Sequence, residues 1–326
     1  MRIGILGAGA WGTALACVAA DAGHDVQLWA REHDVVEAMT ATRTNDAFLP
    51  GSVLAESIRA TSSMEDLVGS DIIINATPTQ FVRATVRDAV VAGAIVVNVA
   101  KGIEVGTSKR VSEIMHEMAP SMAAYVVLSG PSHAEEVVHR MPTTVVAASA
   151  DPAIAQIVQS ALTTPAFRVY ASDDVVGVEI CGALKNVIAI AAGIVDGLGL
   201  GDNTKAALMT RGLAEIARLG VALGAEQGTF YGLAGLGDLY VTCASRHSRN
   251  RSVGEQIGKG ATLASILSTM SAIAEGVPTT TAALELAASV GIELPITQKV
   301  ASILFHGEDP RSAIRDLMLR PVKSES

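Results

Sequence analysis

One lysine interrupts an otherwise apolar helical stretch of the sequence. In residues 181–190 nearly every position is apolar except Lys185 and Asn186. Burial of an unpaired ammonium group is so unfavourable that such a lysine needs a carboxylate partner, a path to water or a lowered pKa. The same conditions suit acid–base chemistry, because an ammonium can stabilise and protonate the alkoxide formed when a hydride reaches a carbonyl carbon. Lys185 is therefore a candidate catalytic residue, and a lysine that extends to solvent is the alternative.

Two later segments carry polar groups that such a reaction needs. Asp238 follows the glycine-rich residues 232–237, and its carboxylate is a candidate to pair with Lys185 and orient it. Ser248, Arg249 and Asn250 lie at the expected start of a helix, where backbone N–H groups and a guanidinium can hold a phosphate dianion. A helix cap at Asp238 and a solvated turn at Ser248 are the alternatives that the spacing leaves open.

A glycine-rich turn near the amino terminus indicates a dinucleotide site. Gly7, Gly9 and Gly12 form the pattern GxGxxG directly after an expected strand and at the start of an expected helix. The first glycine permits a tight turn, the second lets the backbone approach a pyrophosphate, and the third allows the helix to pack closely on the strand. The start of the helix then offers free N–H groups to the phosphates. An ordinary strand-to-helix turn is the alternative.

The end of the second expected strand bears on which dinucleotide is bound. NAD-selective sites usually place an acidic residue there, where it bonds the ribose 2′-hydroxyl. Ala30 occupies that position, and Arg31 directly after it can pair with a 2′-phosphate unless it is simply solvated. Glu32 follows, and because its carboxylate can bond the ribose 2′-hydroxyl, NAD(H) remains an alternative cofactor. The predicted cofactor is therefore NADP(H), NAD(H) or both.

Hydrophobic periodicity predicts the elements that position these groups. Apolar, β-branched runs predict strands at residues 3–6, 26–29, 72–76, 95–99, 125–128 and 144–147. Their alternation with helical patterns predicts a mostly parallel sheet with ligands at the carboxyl ends of its strands. Beyond residue 173 the pattern is helical, with long helices expected at 175–198 and 205–223. We therefore predict an α/β fold in which a Rossmann-type dinucleotide-binding domain, residues 1–172, precedes an all-α substrate and catalytic domain, residues 173–326.

Two of the expected strands run into further polar residues. Lys101 follows the strand at 95–99, where it can contact a phosphate or a carbonyl unless it is solvated. The strand at 125–128 leads into a Gly- and Pro-containing turn that includes His133. For His133 we favour a capping or solvent-facing role over that of a general acid.

Composition limits the other classes of function. A chain of 326 residues exceeds the usual size of one domain, and a formal charge of −9 gives no general attraction for nucleic acid or an anionic membrane. The three cysteines are widely spaced, so neither a disulfide framework nor a zinc cluster is expected, and no metal is predicted. The first residues lack the features of a signal peptide, and no apolar run reaches spanning length without interruption. We expect a cytoplasmic protein without membrane insertion.

Longer sequence blocks resemble those of the bacterial type of NAD(P)-dependent sn-glycerol-3-phosphate dehydrogenases. The blocks are GAGAWGTALA from Gly7, LSGPSHAEEV from Leu128, CGALKNVIAIAAGIVDGLGLGDNTKAALMTRGLAEI from Cys181, GLAGLGDLYVTC from Gly232 and SRN from Ser248. The resemblance spans nearly the whole chain, and the long middle block is far more specific than GxGxxG alone.

The resemblance implies a metal-free hydride transfer from NAD(P)H to dihydroxyacetone phosphate, giving sn-glycerol 3-phosphate for phospholipid synthesis. Lys185 is then the proton donor or acceptor, supported by Asp238 and Thr242. The residues implied to contact the substrate are Lys101, Gly130, Ser132, Lys185, Asp238, Ser248, Arg249 and Asn250. Those implied to bind the dinucleotide, besides the three glycines, are Ala10, Trp11, Arg31, Lys101, Ala134, Arg249 and Glu275. Ala10 departs from the serine of many relatives, which removes one side-chain hydrogen bond to the cofactor. A homodimer is also implied.

Two other functions are compatible with the sequence. A related two-domain dehydrogenase acting on a β-hydroxyacid or sugar acid would share the same architecture. A non-catalytic NADP(H) sensor whose helical domain binds a protein is a reading from another class, and the lysine in the apolar helix argues against it.

Overall fold

The computed structural model describes residues 1–270, 273–321 and 324. The strands are β1 (Arg2–Leu6), β2 (Asp25–Trp29), β3 (Thr44–Asn45), β4 (Leu49–Val53), β5 (Ile58–Thr61), β6 (Ile72–Asn75), β7 (Ile95–Asn98), β8 (Ala124–Ser129), β9 (Thr143–Ala148) and β10 (Phe167–Ser172). Before residue 173 the α-helices are α1 (Ala10–Asp21), α2 (His33–Thr42), α3 (Val82–Thr85), α4 (Asp88–Val91), α5 (Val111–Met118), α6 (Ala134–Val138) and α7 (Pro152–Leu162).

From residue 174 onward the described chain is helical. The α-helices are α8 (Val175–Gly197), α9 (Gly201–Ala222), α10 (Asp238–Ala244), α11 (Arg249–Gly258), α12 (Leu263–Thr269), α13 (Gly276–Ser289), α14 (Pro295–His306) and α15 (Pro310–Met318). A π-helical turn, Leu233–Gly237, leads directly into α10. These elements confirm the predicted fold class, an α/β unit followed by helices. The predicted division between residues 172 and 173 falls between β10 and α8 and stays a prediction.

The main sheet is mostly parallel, as predicted. Its eight strands lie in the order β10-β9-β8-β7-β6-β1-β2-β5, and the pair β8–β9 is antiparallel. The chain places β2 on one side of β1 and β6 on the other, so the direction of winding reverses at β1. In sheets of this kind ligands bind at the carboxyl ends of the strands beside such a reversal. The glycine turn lies there, at the end of β1.

The predicted strands all form, with ends that shift by one or two residues. Their apolar runs are buried on both faces, as Ile5 and Leu6 of β1 and all four residues of β6 illustrate. The sequence reading missed β5 and β10, together with the short antiparallel hairpin of β3 and β4. In β10 exposed residues alternate with buried ones because it lies at an edge of the sheet, so it lacks a continuous apolar run.

Helix α8 is the central element of the helical part. Asp174 caps it, because one carboxylate oxygen accepts from the Gly177 amide at 2.8 Å. By length and hydropathy α8 could cross a membrane, but all of its apolar stretch is buried inside the protein. It packs on α9, α10, α11 and α13. The helix is therefore the core onto which the other helices assemble.

Helices α8 and α11 approach each other backbone to backbone. A Cβ atom added to Gly193 of α8 would lie 2.0 Å from the Arg251 carbonyl oxygen, and one added to Gly254 of α11 would lie 1.9 Å from the Ile190 oxygen. Only glycine fits at such distances, so these positions fix how far the two helices slide along each other. The contact sets Lys185 of α8 at a defined distance from the start of α11.

Candidate active site

Lys185 lies inside the protein and is bound by two polar groups. Its side chain is 7% exposed. Its Nζ donates to Oδ1 of Asp238 at 2.6 Å and to Oγ1 of Thr242 at 2.8 Å. Thr242 in turn donates to the Asp238 backbone carbonyl at 2.6 Å. The structure therefore brings together the three residues that the resemblance grouped, although Lys185 and Asp238 are 53 positions apart in the chain.

Asp238 is the first residue of α10 and does not act as a cap. Its carboxylate is 2% exposed and is shared by two lysines, since Oδ2 accepts from Lys101 Nζ at 2.8 Å. The π-helical turn before it aims the carboxylate inward, and π-helical turns are frequent at functional sites. These contacts exclude the alternative in which Asp238 is only a helix cap.

Burial and charge act in opposite directions on these groups. Burial would raise the pKa of Asp238, but Lys101 and Lys185 outweigh it and hold that pKa below its usual value. Burial lowers the pKa of Lys185 to about 8, against the attraction of Asp238 that raises it and with the repulsion of Lys101 that lowers it further. Lys185 is thus mostly protonated at pH 7 and still able to give up its proton, which is what acid–base catalysis needs.

A cavity of about 330 Å³ lies next to Lys185. The glycine turn, the ends of the strands and the start of α11 all contribute to its walls. The predicted site residues that line it are Ala10, Trp11, Lys101, Ser132, Ala134, Lys185, Ser248, Arg249, Asn250 and Glu275. Its size suits a small molecule together with one end of a larger one. One cavity thus collects residues predicted for the substrate and for the dinucleotide.

The wall formed by the start of α11 suits an anion. Ser248 caps this ten-residue helix through its Oγ, which accepts from the Arg251 amide at 3.2 Å. Arg249 lines the cavity, and its guanidinium forms no ion pair within residues 1–270, 273–321 and 324. A helix start with an uncompensated guanidinium attracts a phosphate group.

The geometry of the glycine turn fits a pyrophosphate. Gly7 has φ of +110°, which side-chain-bearing residues rarely adopt. A Cβ atom on Gly12 would lie 1.9 Å from the Gly7 carbonyl oxygen, whereas one on Gly9 would meet no heavy atom within 4 Å. The backbone at Gly9 therefore faces open space at the start of α1, where a phosphate can approach its N–H groups.

Glu275 joins the two halves of the site rather than extending freely into it. Its two carboxylate oxygens accept from the backbone amides of Thr79 at 2.7 Å and Lys101 at 3.1 Å. Asn186 adds a second link, because its Nδ2 donates to the Lys101 carbonyl at 3.0 Å. These contacts hold the loop that carries Lys101 against the helical part, so that its ammonium can reach Asp238.

The whole chain is similar to known dehydrogenases. Residues 2–155 match the family model for the NAD-dependent glycerol-3-phosphate dehydrogenase N-terminus, and residues 174–315 match that for the C-terminus. A glycerol-3-phosphate dehydrogenase (NAD(P)+) of Chlorobium phaeobacteroides is 50% identical over 331 residues, which cover 100% of this chain and 99% of the relative. The chain belongs to the NAD-dependent glycerol-3-phosphate dehydrogenase family. The enzyme of the same name from Geobacter sulfurreducens is 51% identical over 330 residues, 99% of this chain and 98% of the relative.

A solved structure of a glycerol-3-phosphate dehydrogenase extends the likeness to the fold. The crystal structure of that protein from Coxiella burnetii matches with a TM-score of 0.91 at 37% identity, covering 98% of this chain and 99% of the other. The resemblance seen in the sequence blocks is thus confirmed at the level of the family and of its two-part architecture.

Some predicted glycerol-3-phosphate dehydrogenase site residues lie apart from the cavity wall. Arg31 follows β2 with its side chain 78% exposed and pairs with Glu32 at 2.7 Å. Gly130 lies behind the wall, where its carbonyl accepts from Lys101 Nζ at 3.2 Å and from Ser132 Oγ at 2.9 Å. Their contacts with substrate or cofactor stay predictions.

Some residues that line the cavity were not predicted from the sequence as site residues. His133 was expected to cap α6 or face solvent, but it makes no side-chain cap and its Nε2 atom is buried. His247, directly before the Ser248–Asn250 segment, was not considered, and it lines the same cavity. Thr77 and Pro78, which follow β6 at the reversal point of the sheet, could have been found from their place at a strand end.

Proposed function

We propose that the chain reduces dihydroxyacetone phosphate to sn-glycerol 3-phosphate with NAD(P)H, and catalyses the reverse oxidation. The observation that carries this proposal is the buried Lys185, which is paired with Asp238 and lines a cavity that the glycine turn and the start of α11 share. Membership of the glycerol-3-phosphate dehydrogenase family supports the same reaction.

The protein contributes the proton that a carbonyl reduction requires. The nicotinamide, when bound, supplies the hydride to the carbonyl carbon. Lys185 Nζ gives its proton to the oxygen that becomes the alkoxide, and its pKa of about 8 makes that transfer possible near neutral pH. Asp238 and Thr242 hold the Nζ atom in place through bonds of 2.6 and 2.8 Å. Lys101, held by Asp238, adds positive charge beside the developing anion.

We assign the phosphate of the substrate to the start of α11. The backbone N–H groups of that helix and the Arg249 guanidinium offer the positive end that a dianion requires. Ser132 and Lys101 stand at the strand ends on another wall of the cavity. The proposed substrate contacts are Lys101, Gly130, Ser132, Lys185, Asp238, Ser248, Arg249 and Asn250.

We assign the dinucleotide to the crevice beside β1. The turn formed by Gly7, Gly9 and Gly12 takes the pyrophosphate. Arg31, already held by Glu32, lies at the end of β2 where the adenine ribose is expected. The remaining proposed contacts are Ala10, Trp11, Lys101, Ala134, Arg249 and Glu275. Because the pair of Arg31 and Glu32 carries both signs of charge, we propose that NADPH and NADH are both used.

Localisation, oligomeric state and the use of the product are inferred from the family. We propose a cytoplasmic homodimer whose product enters phospholipid synthesis. The negative net charge of −9 agrees with a small-molecule enzyme that binds neither nucleic acid nor an anionic membrane. Light scattering at micromolar concentration tests the dimer, and the mass of a monomer would contradict it.

A substrate panel tests the proposed reaction. Initial rates of NADPH and NADH oxidation are measured with dihydroxyacetone phosphate, with unphosphorylated dihydroxyacetone and with 2-keto acids. We expect turnover with dihydroxyacetone phosphate and a large loss without the phosphate. Preference for a keto acid would favour the β-hydroxyacid dehydrogenases. Cofactor binding without turnover of any substrate would favour a sensor.

A further inference from the structure

Two histidines face each other across one end of the cavity. The rings of His133 and His247 have centroids 5.7 Å apart and an interplanar angle of 53°. His133 directly precedes α6 in the α/β part, and His247 directly precedes Ser248 at the start of α11. Both line the cavity that contains Lys185 and Arg249. The pair is therefore a contact between the two halves of the protein at the wall of the cavity.

The position of His247 ties the pair to the anion end of the cavity. It is adjacent in sequence to the residue that caps α11, so its ring borders the helix start to which we assign the phosphate. His133, directly before α6 and one residue after Ser132, borders the same cavity. Imidazoles in this place can bond a phosphate oxygen in either protonation state, and the bond is stronger when the ring is charged.

The charges that face His133 come from several elements. Four groups act on it: Lys185 of α8, Glu135 and Glu136 of α6, and the Val241 carbonyl of α10. Its Nε2 atom is buried and has no well-formed hydrogen bond within the described residues. Arg249 and Glu135 line the same cavity as the pair. His133 thus occupies a partly buried site in which burial and the charge of Lys185 oppose its protonation and an added anion would favour it.

We propose that His133 and His247 are phosphate-recognising residues and that His133 takes up a proton when the phosphorylated substrate binds. The inference rests on the proposed function, because it takes the substrate to be a phosphorylated ketone. Only a proton moves, from solvent to the His133 imidazole, and both rings then contact the phosphate dianion.

The direction of the proton movement follows from electrostatics. Burial, and then the charge of Lys185, lower the pKa of His133 below its usual value, while Glu135, the Val241 carbonyl and Glu136 act weakly in the other direction. The ring is therefore neutral in the free enzyme above neutral pH. A dianion within about 4–6 Å favours the charged form and raises that pKa by about 1–3. Binding must then draw in protons, and by linkage affinity must fall as pH rises.

Calorimetry measures the proton uptake directly. Dihydroxyacetone phosphate is titrated into the complex with NADP+, in which both partners are oxidised and no turnover occurs. The titration is run at pH 7.5 in two phosphate-free buffers of different ionisation enthalpy. The phosphate of the ligand, with a second pKa of about 6, is already a dianion at this pH. We expect the wild-type protein to take up a substantial fraction of a proton and the double variant His133→Gln, His247→Gln to take up clearly less, because only the uptake by Lys185, whose pKa is about 8, remains in the variant.

Steady-state kinetics gives an independent measurement on the same variants. The double variant should raise KM for dihydroxyacetone phosphate by about tenfold at pH 6.5, as expected for the loss of a charged hydrogen bond, and by less at pH 8.5. Its kcat should change little, because the proton donor Lys185 is intact. His306→Gln, at the end of α14 and away from the cavity, is the matched control and should behave as wild type.

The outcomes separate this inference from the proposed reaction. Equal proton uptake in wild type and double variant, or a KM ratio that does not depend on pH, overturns the role of the histidines even if turnover is normal. Absence of turnover together with histidine-dependent proton uptake would instead contradict the proposed reaction and leave the phosphate recognition standing.

Discussion

Replacement of Asp238 by asparagine removes the carboxylate that two buried ammonium groups share. The wild-type Asp238 accepts from Lys185 at 2.6 Å and from Lys101 at 2.8 Å, with almost no exposure to solvent. An opposite charge at such distances changes a pKa by about 1–3. Since the pKa of Lys185 is about 8 in the intact protein, the Asp238→Asn variant should lower it to about 5–7.

This change converts directly into a loss of the proton donor. At pH 7 the protonated fraction of Lys185 falls from about nine-tenths to between about one-half and one-hundredth. The kcat for reduction of dihydroxyacetone phosphate at pH 7 should therefore fall about 2- to 100-fold, and lowering the pH should restore part of it.

The assay is the pH dependence of kcat between pH 5.5 and pH 9.5 with saturating cofactor. The alkaline limb should move to lower pH in Asp238→Asn. Asp316→Asn, which breaks an exposed pair with Lys299, is the matched control and should leave the profile unchanged. A limb that stays in place while kcat falls uniformly would show that Asp238 does not set the protonation of Lys185, and would refute the reasoning.

Four further outcomes follow from other contacts. Gly12→Ala should destabilise the fold and abolish NADPH binding, because its Cβ would lie 1.9 Å from a carbonyl oxygen. Gly9→Ala, whose Cβ would meet no heavy atom within 4 Å, should fold normally and bind NADPH more weakly in a fluorescence titration. Glu179→Ala should lower the free energy of unfolding by about 3–5 kcal/mol in urea, since the buried carboxylate bonds the Arg110 guanidinium; unchanged stability would contradict this. Arg31→Ala should raise KM for NADPH more than for NADH, and an equal rise would contradict a contact with the 2′-phosphate. The contribution of Lys185 to stability should rise by up to about 3 kcal/mol from pH 8 to pH 10.4, as the unfolded chain binds the proton that folded Lys185 has lost. The measurement is the difference in unfolding free energy between wild type and Lys185→Met at the two pH values, because the buried Cys17, Cys181 and Cys243, whose pKa values are raised, lower the stability of both proteins in this range; a difference that does not change with pH would contradict the lowered pKa of Lys185.

The parts of the fold that were predictable are those where one local pattern determines one outcome. The run at β6 is apolar at every position up to Asn75 because both faces of that strand are covered, and its place in a parallel sheet follows. The glycine turn was readable because its three glycines serve one backbone geometry. Edge strand β10 was missed because burial on a single side produces a weak alternating pattern.

The sequence predicted which residue types form the site, but it did not predict which of these residues lie in contact. Lys185 stood out since an ammonium in an apolar helix requires a partner, but nothing local to residue 185 identifies Asp238 as that partner. The packing of Gly193 and Gly254 at the α8–α11 contact determines where the start of α11 lies, and it depends on the whole helical core. His133 and His247 come together only through that packing, so spacing gave no indication of the pair.

The central claim is that Lys185 protonates dihydroxyacetone phosphate as it is reduced. The most direct test is the initial rate of NADPH and NADH oxidation with this substrate for wild type, for Lys185→Ala and for the surface control Lys259→Ala, with cofactor binding measured on each. We predict turnover in wild type and in Lys259→Ala, and a kcat lower by about two to four orders of magnitude in Lys185→Ala with cofactor binding retained. Wild-type turnover that persists in Lys185→Ala would contradict the role assigned to the lysine.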